Sequence, residues 1–319
     1  MLMILRSGGS ELQMVNPAAG WTVPEDAIWI ELVNPTREEE TAVEQAVGLD
    51  LPTRDDMAEI EASSRLYQEN GATVMIATVL CGSEESTPAP GPVTFILVGE
   101  RLITIRYVHP RSFELFASQL AHRAEPHTTG LGVFLGLLEL IVDRTADLLE
   151  RISARVEETS HAIFSQPRGG QFRPLLNRLG RDQRVNTMAR DSLVSLSRLL
   201  SFATLAPQVE GRKECRSQLR SLGRDVQSLM EHSSYVSGNI TFLLDAALGL
   251  INIEQNEITK VFSIYAVVLL PPTLIATTYG MNFRHMPELG LPYAYPLCLL
   301  AMLLSAAVPF LWFKKKRWL

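Results

Sequence analysis

Two runs without a formal charge stand almost back to back near the C-terminus, Val261–Phe283 and Leu289–Phe313, interrupted only by Arg284–Glu288. A membrane-spanning helix needs about 20 predominantly apolar residues, and both runs reach that length. A pair of buried core helices has the same composition, but two such runs joined by so short a connection suit a membrane hairpin better. Lys314, Lys315, Lys316 and Arg317 follow directly on the second run. The excess of Lys and Arg on the cytoplasmic side of membrane proteins predicts that this basic tail is cytoplasmic. After two crossings the large N-terminal part is cytoplasmic as well. The apolar stretch within Met1–Gly9 is too short for a secretion signal, and an acid-rich start argues against a transit peptide.

Charge is divided unevenly along the 319 residues. The net charge of −6 splits into +5 from Lys260 onward, where six basic residues meet Glu288 alone, and −11 before it. An acidic body of this kind is not a general nucleic-acid binder. Cys81, Cys215 and Cys298 lie far apart, so a zinc ribbon, a redox dithiol and a disulfide framework find no support.

Residues 1–126 read as a cytoplasmic α/β domain. Short β-branched runs recur at Ala27–Val33, Thr73–Leu80, Val93–Val98 and Leu102–Val108, separated by glycine and proline, as strands require. Thr36 followed by Glu39 is a capping box opening a helix to Val47. The segment Gly82–Pro92 reads as a surface loop. Residues 127–259 read as a helical stalk. Leu131, Leu135, Leu138, Val142, Thr145, Leu149 and Ile152 recur at helical spacing in a helix that runs to Ser165, and a second helix covers Pro174–Ala203. Between Pro207 and Pro271 there is no proline, so Gln208–Tyr279 is predicted as one helix of about 70 residues, roughly 105 Å long. The remaining divisions are 260–283, the first transmembrane helix; 284–290, an extracytoplasmic loop; 291–313, the second transmembrane helix; and 314–319, a basic tail.

Two heptad series run through the long helix: Asp245, Asn252, Thr259, Ala266, Thr273 and Gly249, Asn256, Ser263, Leu270, Thr277. Nearly all members are small or polar, whereas a coiled coil has large apolar residues at both seam positions. Polar positions in a membrane face a bundle interior or water, so several copies around an axis would enclose a hole. The alternative for the membrane part is small-residue helix packing with Ser and Thr bonded to their own backbone. Continuation through Asn256, Asn252 and Asp245 favours a conduit. Pro271 and Pro272 each lack an N–H, leaving carbonyls near Val267 and Val268 without their usual donors; a simple kink and a direct role in ion binding both fit.

The first run ends in Tyr279-Gly280-Met281-Asn282, followed by Phe283 and Met286-Pro287-Glu288-Leu289. With the basic, tryptophan-containing end, the stretch Gly249–Asn256 and the Leu270-Pro271-Pro272-Thr273 step, these residues resemble the CorA family of divalent-cation channels. Trp29–Leu32 and Glu59–Ser63 fit the same family more loosely. The resemblance implies a homopentamer in the bacterial inner membrane whose first span lines a pore. It implies transport of Mg2+, with Co2+ and Ni2+ as further cargo, gated by cytoplasmic Mg2+. Gly280, Met281 and Asn282 would form the selectivity filter, Thr273 and Asn256 polar rings, Asp245 the vestibule, and Leu270 and Phe262 a hydrophobic constriction. At Phe262 the family register departs from the heptad reading, which selects Ser263. Asn252, Thr259, Ala266 and Thr277 complete the pore-lining set. Neutral carboxamide and carbonyl oxygens suit a cation that dehydrates reluctantly and must be released again.

The same resemblance implies Mg2+ sensing by the acidic body. At the corresponding place on the stalk stands Ser221, with Asp225 one turn later; Asp225 or Glu214 would substitute, the alternative being a solvated acidic face. Arg284-His285 occupies the outer loop where relatives often carry an acid. No Walker motif or phosphate loop is present, so no nucleotide and no enzymatic step is expected; the membrane potential supplies the driving force. Two other readings stay open: a Zn2+ transporter of the same superfamily, and a membrane-anchored signalling or scaffold protein. Met281 and Met286–Leu289 favour magnesium over zinc, and Asn256 and Thr273 on one face favour a conduit over a scaffold.

Overall fold

The computed structural model describes residues 1–17, 21–59, 61–82, 88–121, 127–165, 172–282 and 286–316, with the backbone alone at 62, 63, 288 and 289. It forms two compact units, Met1–Leu243 and Leu244–Leu319.

The first unit is built on a seven-stranded sheet. Its strands are β1 (Leu2–Arg6), β2 (Gln13–Val15), β3 (Ala27–Val33), β4 (Leu66–Glu69), β5 (Ala72–Cys81), β6 (Ala89–Val98) and β7 (Arg101–Arg106), in the order β2-β1-β3-β7-β6-β5-β4. Every pairing is antiparallel except β3 with β7. That parallel pair needs a crossover, which carries α1 (Arg37–Val47), α2 (Arg54–Ala58) and α3 (Ala62–Arg65). All seven residues of β3 are buried, as befits a central strand covered on both faces.

Alternation along the strands divides the core. Ile30, Leu32, Ile103 and Ile105 pack with Val43 of α1 and Met57 of α2 on one face. On the other, Trp29 meets Phe113 and Phe116 of α4 (Arg111–Leu120), and Phe95 meets Phe134 of α5 (Gly130–Ser165). The capping box at Thr36 is formed in full, and Gly48 ends α1 in the left-handed conformation.

The strands expected from β-branched runs are all present, Ala27–Val33 with its bounds unchanged. Three strands and three short helices are additional: β1, β2, β4, α2, α3 and α4. The expected loop Gly82–Pro92 is shorter, because β6 begins at Ala89 and includes Pro90 and Pro92. Both prolines pair only with β5, while β7 joins β6 from Val93 onward. Two residues apart, the rings turn toward one unpaired edge, where a missing N–H costs no ladder bond. Ser83–Thr87 lies outside the described residues.

Helix α5 enters where Gly130 crosses β7. A Cβ at Gly130 would stand 2.2 Å from the Leu102 nitrogen, and its own N–H donates to the Glu100 carbonyl at 2.7 Å. Next, α6 (Phe172–Ala203) covers the part of β5 that β4 leaves unpaired. Ser192 Oγ donates to the Thr78 carbonyl at 2.8 Å, and the Thr78 N–H donates to Ser195 Oγ at 2.9 Å. The sheet edge is thereby closed against pairing with another chain. The long helix α7 covers Lys213–Tyr279. It begins five residues later than the sequence predicts, because Pro207–Val209 forms a 3-10 turn and Gly211 adopts φ +80°. Asn186 and Ser233 bond α6 to α7 inside the core.

The second unit holds the remainder of α7 and α8 (Ala294–Lys315). Among the described helices, α7 and α8 are the two long and apolar enough to cross a membrane. Helix α7 continues through Pro271 and Pro272.

One buried ion pair ties β3 to β7. Arg106 Nε donates to Glu31 Oε1 at 2.8 Å, both side chains being almost fully enclosed, and the guanidinium lies over the Phe113 ring. Burial raises the Glu31 pKa above its ordinary value, and Arg106 offsets part of that rise. Removing one partner of such a pair costs about 3–5 kcal/mol, because a buried charge is left uncompensated. Arg106→Met is expected to destabilise the first unit by that amount at pH 8. The loss shrinks at pH 5, where the unpaired Glu31, its pKa higher still, takes up a proton. Adding Glu31→Gln recovers most of the loss. Urea denaturation at both pH values, read by hydrogen exchange of β3 amides, checks this; an equal loss at pH 5 and pH 8 contradicts it.

Candidate functional site

The membrane segment of α7 has two unlike sides. Lys260, Ile264, Val268, Pro271 and Ile275 are buried or half-buried within the unit. At about 100° per residue, they fall in one sector of the helix. Thr259, Phe262, Ala266, Leu270, Thr273 and Thr277 are all exposed and fall in the opposite sector. Asn252 extends that sector toward the N-terminal end of the helix, and Asn256 and Asp245 lie at its margin; all three are exposed. Phe262, 71% exposed, lies nearer its centre line than Ser263.

Helix α8 has a matching asymmetry. Ala294, Cys298, Met302, Ser305 and Pro309 are half-buried and Phe313 is buried, all on one stripe. Leu297, Leu300, Leu303, Leu304 and Leu311 are exposed, as residues facing lipid tails would be. Each helix thus has one covered stripe of mainly small or slender residues, and α7 leaves its polar stripe uncovered.

The hydroxyls on α7 are oriented by their own helix. Thr259 Oγ1 donates to the Gln255 carbonyl at 2.9 Å, Ser263 Oγ to Thr259 at 2.8 Å, Thr273 Oγ1 to Leu269 at 2.7 Å and Thr277 Oγ1 to Thr273 at 2.9 Å. This is the local back-bonding open to Ser and Thr in helices, and it answers the need for satisfied donors in hydrocarbon. It also fixes what the stripe offers. With each hydroxyl proton spent on a carbonyl, the oxygen lone pairs remain, so the side chains act as acceptors. The bonding expected for plain helix packing is therefore present, and it leaves a surface fit for a hydrated cation, whose waters donate outward.

At its C-terminal end, α7 closes through the Gly280 N–H, which donates to the Ala276 carbonyl at 2.9 Å. A Cβ on Gly280 would lie 3.0 Å from that same oxygen, a tight contact. Met281 and Asn282 follow, both exposed. Phe283, Arg284 and His285 lie outside the described residues. Lys314 and Lys315 end α8, and the Lys316 ammonium sits 4.7 Å from the centre of the Trp312 ring; Arg317 lies outside the described residues.

The two sensing candidates are placed apart. Glu214 is exposed in the first turn of α7. Asp225, also exposed, faces α5: burial raises the Asp143 pKa, and the charges of Asp147 and Asp225 raise it further. Sequence reasoning misses Asp143 and Asp147, although their spacing puts both on one face of α5. Among the described residues of this single chain, no group of three or more His, Cys, Asp or Glu side chains is placed to hold a metal ion.

Comparisons with known proteins bear on the family and the fold. The family described as "CorA-like Mg2+ transporter protein" matches residues 24–315. The magnesium transport protein CorA of Salmonella typhimurium is 33% identical over 294 residues, covering 92% of each chain. That of Escherichia coli is 32% identical over the same length and shares. The solved CorA magnesium transporter of Methanocaldococcus jannaschii superposes with a TM-score of 0.81 at 18% identity, covering 100% of this chain and 99% of the other. With the family matched over nearly its whole length and its fold reproduced, the chain belongs to the CorA-like Mg2+ transporter family.

Proposed function

We propose that this chain forms a homopentameric channel that takes hydrated Mg2+ into the bacterial cytoplasm across the inner membrane, passing Co2+ and Ni2+ as well. The observation that carries this reading is the uncovered acceptor stripe of α7, which lies opposite the covered side and leads to Asn282. Five such stripes around an axis enclose a passage lined by Thr277, Thr273 and Ala266, narrowed by Leu270 and Phe262. It opens through Thr259, Asn256 and Asn252 toward Asp245.

Gly280, Met281 and Asn282 form the outer filter in this reading. A carboxamide oxygen accepts hydrogen bonds from the water shell of a cation that keeps its waters. Being uncharged, a ring of five binds weakly enough for release. An inside-negative potential of 100 mV draws a dication inward with about 4.6 kcal/mol, twice the value per elementary charge. Residues 1–126 and 127–259 form the cytoplasmic domain and stalk, 260–283 and 291–313 the two spans, and 284–290 the outer loop. Both termini are cytoplasmic, with Lys314–Arg317 held at anionic headgroups.

Gating by cytoplasmic Mg2+ falls to carboxylates of the body. Asp225 is the better candidate, since Asp143 and Asp147 share its field and a dication relieves that repulsion. Glu214 stands as a second candidate.

Two experiments test the reading. Asn282→Ala is expected to reduce Mg2+ flux into proteoliposomes to background while size-exclusion chromatography still gives a pentamer. Undiminished flux removes the filter assignment. Millimolar Mg2+ is expected to slow proteolysis of the stalk severalfold, and Asp225→Asn to weaken that protection. Identical digestion with and without Mg2+ contradicts sensing by the body.

A further inference from the structure

The hydroxyls of α7 spend their protons and keep their lone pairs; at the edge of the sheet two others do the reverse. Where β5 runs on past β4 it meets α6 across a cavity of about 300 Å³, with Arg65, Thr78, Asp191, Ser195 and Arg198 in its lining. Thr78 Oγ1 accepts from Arg65 Nη1 at 3.2 Å, and Ser195 Oγ accepts from the Thr78 N–H at 2.9 Å. Among the described residues, neither hydroxyl gives its own proton to a partner. Arg65 also donates from Nε to the Glu59 carbonyl and from Nη2 to the Met57 carbonyl, so two of the five N–H donors of a guanidinium remain. The side chains of Arg198 and Asp191 are exposed and make no hydrogen bond or ion pair with another described residue. Ile60 and the side chains of Ala62 and Ser63, near Arg65 in the chain, lie outside the described residues, and none is ionisable.

We propose that this cavity binds an acidic α-amino acid, its two carboxylates held by Arg65, Arg198 and the two hydroxyls and its ammonium group by Asp191. The uncommitted polar groups on the lining side chains are donors, with Asp191 as the exception, so the site calls for an acceptor-rich ligand. Guanidinium forks match carboxylate oxygens in pairs, and the free protons of Thr78 and Ser195 serve the same oxygens. Burial lowers the Arg65 pKa, and the charge of Arg198 lowers it further. A carboxylate between the two guanidinium groups relieves that repulsion. Asp191 narrows the choice. It repels a plain dicarboxylate, whereas an ammonium group turns the repulsion into an ion pair. Formal charges agree: two arginines against one aspartate leave +1 on the lining, and two carboxylates against one ammonium leave −1 on the ligand. Leu66, Ile76 and Val194 supply an apolar wall for the methylenes. The volume stands at the lower end of the small-molecule range of about 300–1,000 Å³, which suits a ligand of this size.

Isothermal titration of the full-length protein in detergent tests the site, at neutral pH and constant ionic strength in metal-free buffer without a chelator. L-glutamate, L-aspartate, glutarate and orthophosphate are titrated separately; glutarate is glutamate without its ammonium group. Saturable binding of at least one amino acid is expected, about tenfold or more tighter than glutarate. Arg198→Gln and Asp191→Asn alter exposed side chains on α6. Arg198→Gln is expected to weaken amino-acid binding about tenfold or more. Asp191→Asn is expected to bring the amino acid down to the affinity of glutarate. The proposal is overturned if neither amino acid saturates, or if glutarate binds the wild type as tightly as the better of them. Tighter binding of orthophosphate than of either amino acid overturns it as well, as does unchanged binding in Arg198→Gln.

Discussion

A hydroxyl placed in hydrocarbon must give its proton to something, and on α7 it gives it to the carbonyl one turn back. Thr259, Ser263, Thr273 and Thr277 all do so. The rest of the membrane unit depends on this arrangement. It satisfies each donor without a second helix, so the polar stripe need not be buried to be tolerated. What remains on the surface is a row of oxygen lone pairs, and the covered stripe with Ile264 and Ile275 lies on the far side. A helix of this kind is finished as a single chain on one side and unfinished on the other.

The body solves a different problem with similar economy. A sheet of seven strands has edges and part-edges that invite pairing, and here serines of α6 take up the exposed N–H and carbonyl of Thr78. Gln208 extends the same clasp, donating to the carbonyls of Gly71 and Leu97 at 3.0 and 3.1 Å. The sheet and the helical layer are thus joined by hydrogen bonds with defined direction as well as by apolar packing. Helix α7 begins shortly after this clasp, and the bond between Asn186 and Ser233 holds its early turns to α6.

Legibility in the sequence follows the physics of each element. The membrane helices could be read because a run of about 20 residues without charge is what a hydrocarbon slab demands and a water-facing helix does not. Strand β3 could be read because a strand buried on both faces is apolar throughout, even with Glu31 inside it. Strands β2 and β4 escape a reading by pattern because Gln13–Val15 and Leu66–Glu69 are short and partly polar, and their pairing depends on neighbours distant in sequence. Pro90 and Pro92 argue for a loop, and only the registers of β6 against β5 and against β7 reveal why a strand accepts them there. The polar stripe is legible as periodicity, but which side of α7 stays uncovered is a property of packing. The cavity of Arg65 and Arg198 is invisible in the sequence, because the two converge only when α6 folds against the sheet.

The central claim is that the Thr273–Thr277 side of α7 faces water and the Ile275 side does not. With Cys81, Cys215 and Cys298 replaced, single cysteines at Thr277 and Ile275 can be challenged with a charged, water-soluble thiol reagent from the outer side while Mg2+ flux is followed. The account predicts that the cysteine at Thr277 reacts and flux stops, while the one at Ile275 is untouched. Reaction at Ile275 with Thr277 spared would contradict it.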